Sequence, residues 1–228
     1  MDARTPRRVL LNRPAALLLP LLLALGGCGE AEEKEAPGTV RIDFEGELVG
    51  WAHRTMTERT EYEVVRDEGR RVLKAVSRDS ASILTRAVHV DLRQTPILEF
   101  SWKVEEGPLG LDERTKQGND FAARIYVALD GAPAGREDIV LNYVWSGTDP
   151  EETISTSPYW EGSRAIVATS ADKRGQWVTV RRDLRQDLDR AFGFRLDIAE
   201  SISIMTDTDD SDGQATAYYG TLRFLPPQ

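Results

Sequence analysis

Two hydrophobic patterns divide the chain. From Ala15 to Leu25 apolar residues run almost unbroken, interrupted only by Pro20, whereas beyond residue 39 apolar and polar residues alternate. Successive side chains of an extended strand point to opposite faces, so a period of two predicts strands with one buried face. Leu98, Phe100, Trp102 and Val104 share one side of such a segment, with Glu99, Ser101 and Lys103 on the other. Phe121, Ala123, Ile125, Val127 and Leu129 form a second stripe, opposed by Ala122, Arg124, Tyr126 and Ala128. The same reasoning predicts strands over 40–45, 62–66, 71–78, 82–90, 139–146, 165–169, 177–182, 201–206 and 216–224. Turn residues punctuate them at Asp67-Glu68-Gly69, Asp130-Gly131, Lys173-Arg174-Gly175 and Asp212-Gly213. One segment carries helical spacing: Leu184, Leu188, Ala191 and Phe192 fall on one face, Asp183 is placed to cap the amino end, and Gly193 stands just past the other. About ten strands, one short helix and no strand–helix–strand alternation imply an all-β fold: a two-sheet antiparallel, jelly-roll-like β-sandwich.

The amino-terminal pattern calls for a different reading. Arg4, Arg7, Arg8 and Arg13 flank the apolar run, which stops at Gly26 and so falls short of the roughly 20 residues needed to span a bilayer. A cationic stretch followed by a short apolar one is the signature of an export leader. The run ends in Leu25-Gly26-Gly27-Cys28, which resembles the lipobox of bacterial lipoproteins. That resemblance implies cleavage before Cys28, acylation of its thiol, and, with Gly29 rather than Asp following, the outer membrane facing the periplasm. A plain secretory leader with an incidental cysteine is the alternative. Cys28 is the only cysteine, so no intramolecular disulfide can form. The expected organisation is a signal peptide over 1–27, a lipidated cysteine with an acidic, flexible tether over 28–38, and one β-sandwich domain over 39–228.

Loss of the leader lowers Lys plus Arg from 29 to 25 and Asp plus Glu from 38 to 37, taking the formal net charge from −9 to −12. An acidic body of this kind repels nucleic acid and anionic headgroups, and attracts cations. The expected partners are therefore the membrane, through lipid on Cys28, and a glycan or another envelope component, with no nucleic acid.

Three groups of residues carry candidate chemistry. Asp207, Asp209, Asp210 and Asp212 crowd into one loop with Thr208 and Ser211. Calcium takes six to eight hard oxygens, so the loop is either a Ca2+ site or a solvated acidic turn; its spacing is not that of an EF-hand. Glu99, Lys103, Arg124, Tyr126 and Asn142 would share one polar face if their strands pair. Such a face suits a polyhydroxylated or anionic ligand, the alternatives being an ordinary solvent face or an ion-pair network. Trp160, beside Tyr159 in a Ser-Pro-rich loop, is either an aromatic platform for a sugar or loop packing, whereas Trp102 belongs to the core stripe. His53 and His89 stand in no metal or triad spacing, and neither a phosphate-binding loop nor a nucleophile elbow is present. A carboxylate-pair glycosidase using Glu99 and Asp120 is the catalytic alternative. The composite expectation is a non-catalytic binding or scaffold module of the envelope, a purely structural envelope protein being the third reading.

Asp43-Phe44-Glu45 with Gly50-Trp51, Phe100-Ser101-Trp102-Lys103-Val104, Asn119-Asp120-Phe121-Ala122-Ala123-Arg124, Asn142-Tyr143-Val144-Trp145-Ser146 and Met205-Thr206-Asp207-Thr208-Asp209-Asp210 occur in order along the chain. Together they resemble a bacterial family defined as domain of unknown function 3047, over nearly the whole mature domain. The first and last strands also resemble the ends of galactose-binding jelly rolls, which implies a structural calcium between those strands; Thr221 stands where that pattern has an Asp.

Overall fold

The computed structural model describes residues 35–44, 48–132 and 138–227. The expected leader, Cys28 and the first part of the tether lie outside the described residues. Residues 35–38, the last of that tether, form a turn in which the Thr39 amide donates to the Ala36 carbonyl (3.1 Å), and Glu35 pairs with Arg41 (2.9 Å). Among the described residues no helix is long and apolar enough to cross a membrane.

In chain order the strands are β1 (Val40–Ile42), β2 (Ala52–Thr55), β3 (Glu61–Asp67), β4 (Arg70–Arg78), β5 (Ala81–Asp91), β6 (Ile97–Glu106) and β7 (Ala123–Asp130). They continue with β8 (Ile139–Ser146), β9 (Ile154–Thr156), β10 (Ser163–Ser170), β11 (Val178–Asp183), β12 (Ile198–Asp207), β13 (Gln214–Tyr219) and β14 (Leu222–Leu225). Among the described residues one α-helix, α1 (Leu184–Phe192), follows β11. Two seven-stranded sheets result. The first runs β1-β14-β6-β13-β4-β3, with β11 on the remaining edge of β6; the second runs β2-β5-β12-β7-β8-β10-β9.

The alternating stripes meet between the sheets. Leu98, Phe100, Trp102 and Val104 from β6 face Ile125 and Val127 from β7, Leu141, Tyr143 and Trp145 from β8, and Ile202 and Ile204 from β12 in one core. The second sheet is not wholly antiparallel, because β10 pairs parallel to β8, Ile166 opposite Tyr143. Parallel neighbours need a crossover of a dozen or more residues, and the segment 147–162, which includes β9, supplies it. The strand expected over 216–224 is broken into β13 and β14, which lie end to end along one edge of β6. Gly220 marks the break: its amide donates to the Ser101 carbonyl (2.8 Å), and a Cβ there would come within 2.2 Å of Ser101 Oγ.

At α1 the sequence reading and the structure agree closely. The Asp183 carboxylate accepts from the amides of Arg185 (3.0 Å) and Gln186 (3.1 Å), and Gly193 takes the left-handed conformation at φ 79°. Leu184 and Leu188 enter the core. Asp187, buried on the same face, is held by the Arg182 guanidinium (2.8 Å) and the Tyr143 hydroxyl (2.8 Å), tying the helix to both sheets. At the expected calcium position between the first and last strands, the Thr221 hydroxyl donates directly to Asp43 Oδ1 (2.6 Å).

Candidate functional site

On the face of the second sheet turned away from the core, one residue from each strand falls into a single row. Ala52 pairs with Thr85, Thr85 with Ser203, Ser203 with Tyr126, Tyr126 with Asn142, Asn142 with Ala165, and Ala165 with Ser155. Their neighbours two positions along, Arg54, Ile83, Met205, Arg124, Ala128 and Val140, widen the row into an open cleft of about 570 Å³. Small residues at the Ala and Ser positions leave the depth, and the larger Tyr126 and Met205 form its apolar floor. Trp160 closes one side from the loop between β9 and β10. Its ring lies against Gly162, where an added Cβ would sit 2.7 Å from ring carbons and 2.3 Å from the Asp138 carbonyl oxygen, so the glycine leaves room for both.

Polar groups converge on this floor. Ser203 Oγ and Thr85 Oγ1 are 2.9 Å apart, and the Tyr126 hydroxyl accepts from Arg124 (2.9 Å). Asn142 is 5% exposed, and its amide oxygen has no hydrogen-bond partner among the described residues. A buried acceptor without a donor costs about 1–3 kcal/mol, and lining an open cleft gives this one a route to a donor from outside.

Arg124 is itself enclosed. Its guanidinium pairs with Asp207 (2.8 Å), donates to the Asn119 carbonyl and lies 4.2 Å over the Phe121 ring. The other Asp207 oxygen accepts from the Phe121 amide (3.3 Å). Burial pushes the Asp207 carboxyl above its ordinary range, and the adjacent Arg124 pulls it back down. Asp207 was expected among the metal ligands; its oxygens are instead committed to Arg124 and to backbone. Asp212, expected with it, is exposed at a turn position with φ 52°. Asp209 and Asp210 do converge, and the third carboxylate beside them is Asp120, from the segment leading into β7.

The expected polar face is divided between the sheets. Arg124, Tyr126, Asn142 and Trp160 all line the cleft. Glu99 and Lys103 lie on β6, in the other sheet: Glu99 stands between Arg181 (3.4 Å) and Arg223 (3.3 Å), and Lys103 pairs with Asp67 (2.8 Å) under the rings of Trp177 and Tyr218. Glu99 thus links β6 to its neighbours β11 and β14, and Lys103 ties β6 to the end of β3, at the edge of the first sheet. Glu99 and Asp120 are therefore engaged separately: Glu99, on β6, stands between two arginines, whereas Asp120, in the segment before β7, lies beside Asp209 and Asp210.

Glu113 escaped the sequence reading. It is buried in the segment between β6 and β7, where it accepts from Ser146 Oγ (2.6 Å) and the Gly147 amide (2.8 Å), and burial pushes its carboxyl up to about 7. No local pattern marks it, because its partners lie beyond the next strand.

A family model described as "Protein of unknown function (DUF3047)" matches residues 49–223. The chain belongs to the DUF3047 family. The matched span takes in every side chain that lines the cleft. No curated protein matches the chain. Among solved structures, this DUF3047 protein is similar to a family 11 carbohydrate-binding module from Clostridium thermocellum in complex with a β-1,3-1,4-mixed-linked tetrasaccharide, at 12% identity over 84% of this chain and 98% of that one, with a TM-score of 0.48. It is similar also to a family 30 carbohydrate-binding module of a Clostridium thermocellum cellulosomal cellulase, at 14% identity over 81% and 96% with a TM-score of 0.43. A third is the xyloglucanase domain of a type three effector from Sinorhizobium fredii, at 12% identity over 75% and 90% with a TM-score of 0.41. These likenesses concern the sandwich fold alone.

Proposed function

We propose that this protein is a lipid-anchored module of the bacterial envelope that binds a polyhydroxylated ligand, a glycan or a glycan-bearing envelope component, in the cleft across its second sheet. The observation that carries the reading is the row of small, hydroxyl and amide side chains flanked by Tyr126 and Trp160, with the unpartnered amide oxygen of Asn142 among them. Sugars present hydroxyls that donate and accept on their edges and C–H groups on their faces. Asn142, Ser203 and Ser155 meet the first kind of group and the aromatic rings the second. Seven strands spaced roughly 4.8 Å apart give a row about 29 Å long, which fits an extended chain of sugars better than a single ring. Anchoring is supported by the basic and apolar leader and by the placement of Cys28 at its end.

The test is a glycan array spanning plant and microbial polysaccharides and peptidoglycan fragments, followed by calorimetry on any hit. Asn142→Ala and Trp160→Ala should each weaken binding by about tenfold or more while leaving the melting temperature within a few degrees of the parent. An array without binding, or variants that bind as the parent does, would remove the cleft from the argument. Mass spectrometry of the membrane-extracted protein should find the chain starting at an acylated Cys28; an intact leader or a free thiol there refutes the anchor.

A further inference from the structure

We infer that Asp120, Asp209 and Asp210 form a binding site for one divalent cation of the calcium type at the wall of the cleft. Each offers a carboxylate oxygen, and the three oxygens lie within 4.8 Å of one another. Calcium–oxygen bonds of about 2.3–2.6 Å put ligands on opposite sides of one ion roughly 4.6–5.2 Å apart, so the trio fits within a single coordination shell. Asp120 points separately to a missing ligand. It is 1% exposed, and although Oδ1 accepts from the Asp210 amide (3.2 Å), Oδ2 is buried with no partner among the described residues. Burial raises the Asp120 carboxyl above its ordinary range and the nearby Ser211 hydroxyl opposes the rise; that hydroxyl is itself buried, without a hydrogen-bond partner among the described residues. Carboxylate oxygens only accept, so two neighbouring carboxylates cannot satisfy Oδ2, whereas a cation can.

The other two carboxylates are held in place from outside the loop. Thr57 Oγ1, from the segment after β2, donates to Asp209 Oδ2 (2.7 Å), and the Tyr159 hydroxyl, from the loop between β9 and β10, donates to Asp210 (2.6 Å). Thr57 and Tyr159 are thus positioning residues for a site that gathers four segments of the second sheet. Asp209 and Asp210 also line the cleft. Three protein oxygens leave at least three of calcium's six to eight positions for water or for ligand hydroxyls. A cation here would hold a vicinal diol beside Trp160; this last step rests on the proposed glycan reading, while the cation site does not.

The experiment is calorimetric titration of calcium chloride into the chelator-stripped full chain, with magnesium chloride in parallel, and a thermal melt with and without each ion. One saturable calcium site per chain and a raised melting temperature are expected. Asp209→Asn should weaken binding about tenfold or more, whereas Asp212→Asn, in the same loop but outside the trio, should bind as the parent does. Asp120→Asn should abolish binding, and if that variant fails to fold, Asp209→Asn carries the test. No saturable heat up to millimolar calcium, or equal weakening by Asp212→Asn and Asp209→Asn, would overturn the site and indicate diffuse charge screening. Glycan binding repeated in calcium and in chelator then separates the two claims. Loss in chelator supports the diol step, and indifference to chelator overturns that step alone. A glycan bound by a chain that takes no calcium overturns the cation site and leaves the cleft reading standing.

Discussion

Replacing Arg124 by alanine probes the link between the cleft floor and the core of the second sheet. The side chain is 5% exposed and pairs at 2.8 Å with Asp207, which is equally enclosed. Removing one partner of a buried ion pair costs about 3–5 kcal/mol, because the other charge is left without compensation. Arg124→Ala should therefore destabilise the domain by about that much at alkaline pH, a large part of the 5–15 kcal/mol typical of a domain. The sign of the pH dependence follows from Asp207. Burial lifts its folded pKa above the unfolded value and Arg124 opposes the lift, so alanine raises it further. A carboxyl with a raised folded pKa contributes stability below its unfolded pKa and loses it as pH climbs through the folded one. The variant goes on losing stability at pH values where the parent has levelled off. The gap between them widens by about 1.4 kcal/mol per pH unit across that interval. Urea unfolding followed by tryptophan fluorescence, at acidic and alkaline pH, on the parent, Arg124→Ala, Asp207→Asn and the double variant would measure it. A loss below about 1 kcal/mol, an equal loss at both pH values, or additivity within about 0.5 kcal/mol would refute the reasoning.

Glu113 should also make the domain less stable as pH rises from its ordinary range near 4.5 through about 7, since its folded pKa is the higher. The effect is on the order of 3 kcal/mol, and calorimetric melts across that interval should flatten in Glu113→Gln. Asp183→Ala removes the acceptor for two amides at the start of α1 and should cost about 1 kcal/mol, read as a lower urea midpoint with an unchanged slope. At Gly147 an added Cβ would come within 2.2 Å of the Pro108 carbonyl oxygen. Gly147→Ala should therefore cost about 1–3 kcal/mol, and a melting temperature equal to the parent's would show that the neighbouring segment yields freely.

The strands legible in the sequence are those with one face in the core. β4 to β8 and β12 place residues such as Leu73, Leu84, Trp102, Ile125, Leu141 and Ile204 inside the sandwich, and their alternation records it. β2 and β9 bury no such stripe, being short and at the edges of their sheet, so period two had nothing to register. The pairing of Tyr126 with Asn142 was within reach because β7 and β8 are consecutive and antiparallel. That β6, next before them in sequence, belongs to the opposite sheet was not, since strand order is decided by which distant stripes pack together. Glu99 and Lys103 were thus assigned to a face they do not share. In the acidic loop, sequence proximity groups Asp207 and Asp212 with Asp209 and Asp210, whereas the carboxylates that converge in the structure are Asp120, Asp209 and Asp210.

The pairing of β1 with β14, Val40 opposite Phe224, has a kinetic consequence. β4 waits for β13 and β5 for β12 in the same way, so the first sheet cannot be completed before β14 is made, nor the second before β12. Contacts so remote along the chain slow closure and keep apolar segments uncovered meanwhile. Until β12, β13 and β14 have been made, a nascent domain of this topology depends on protection from self-association.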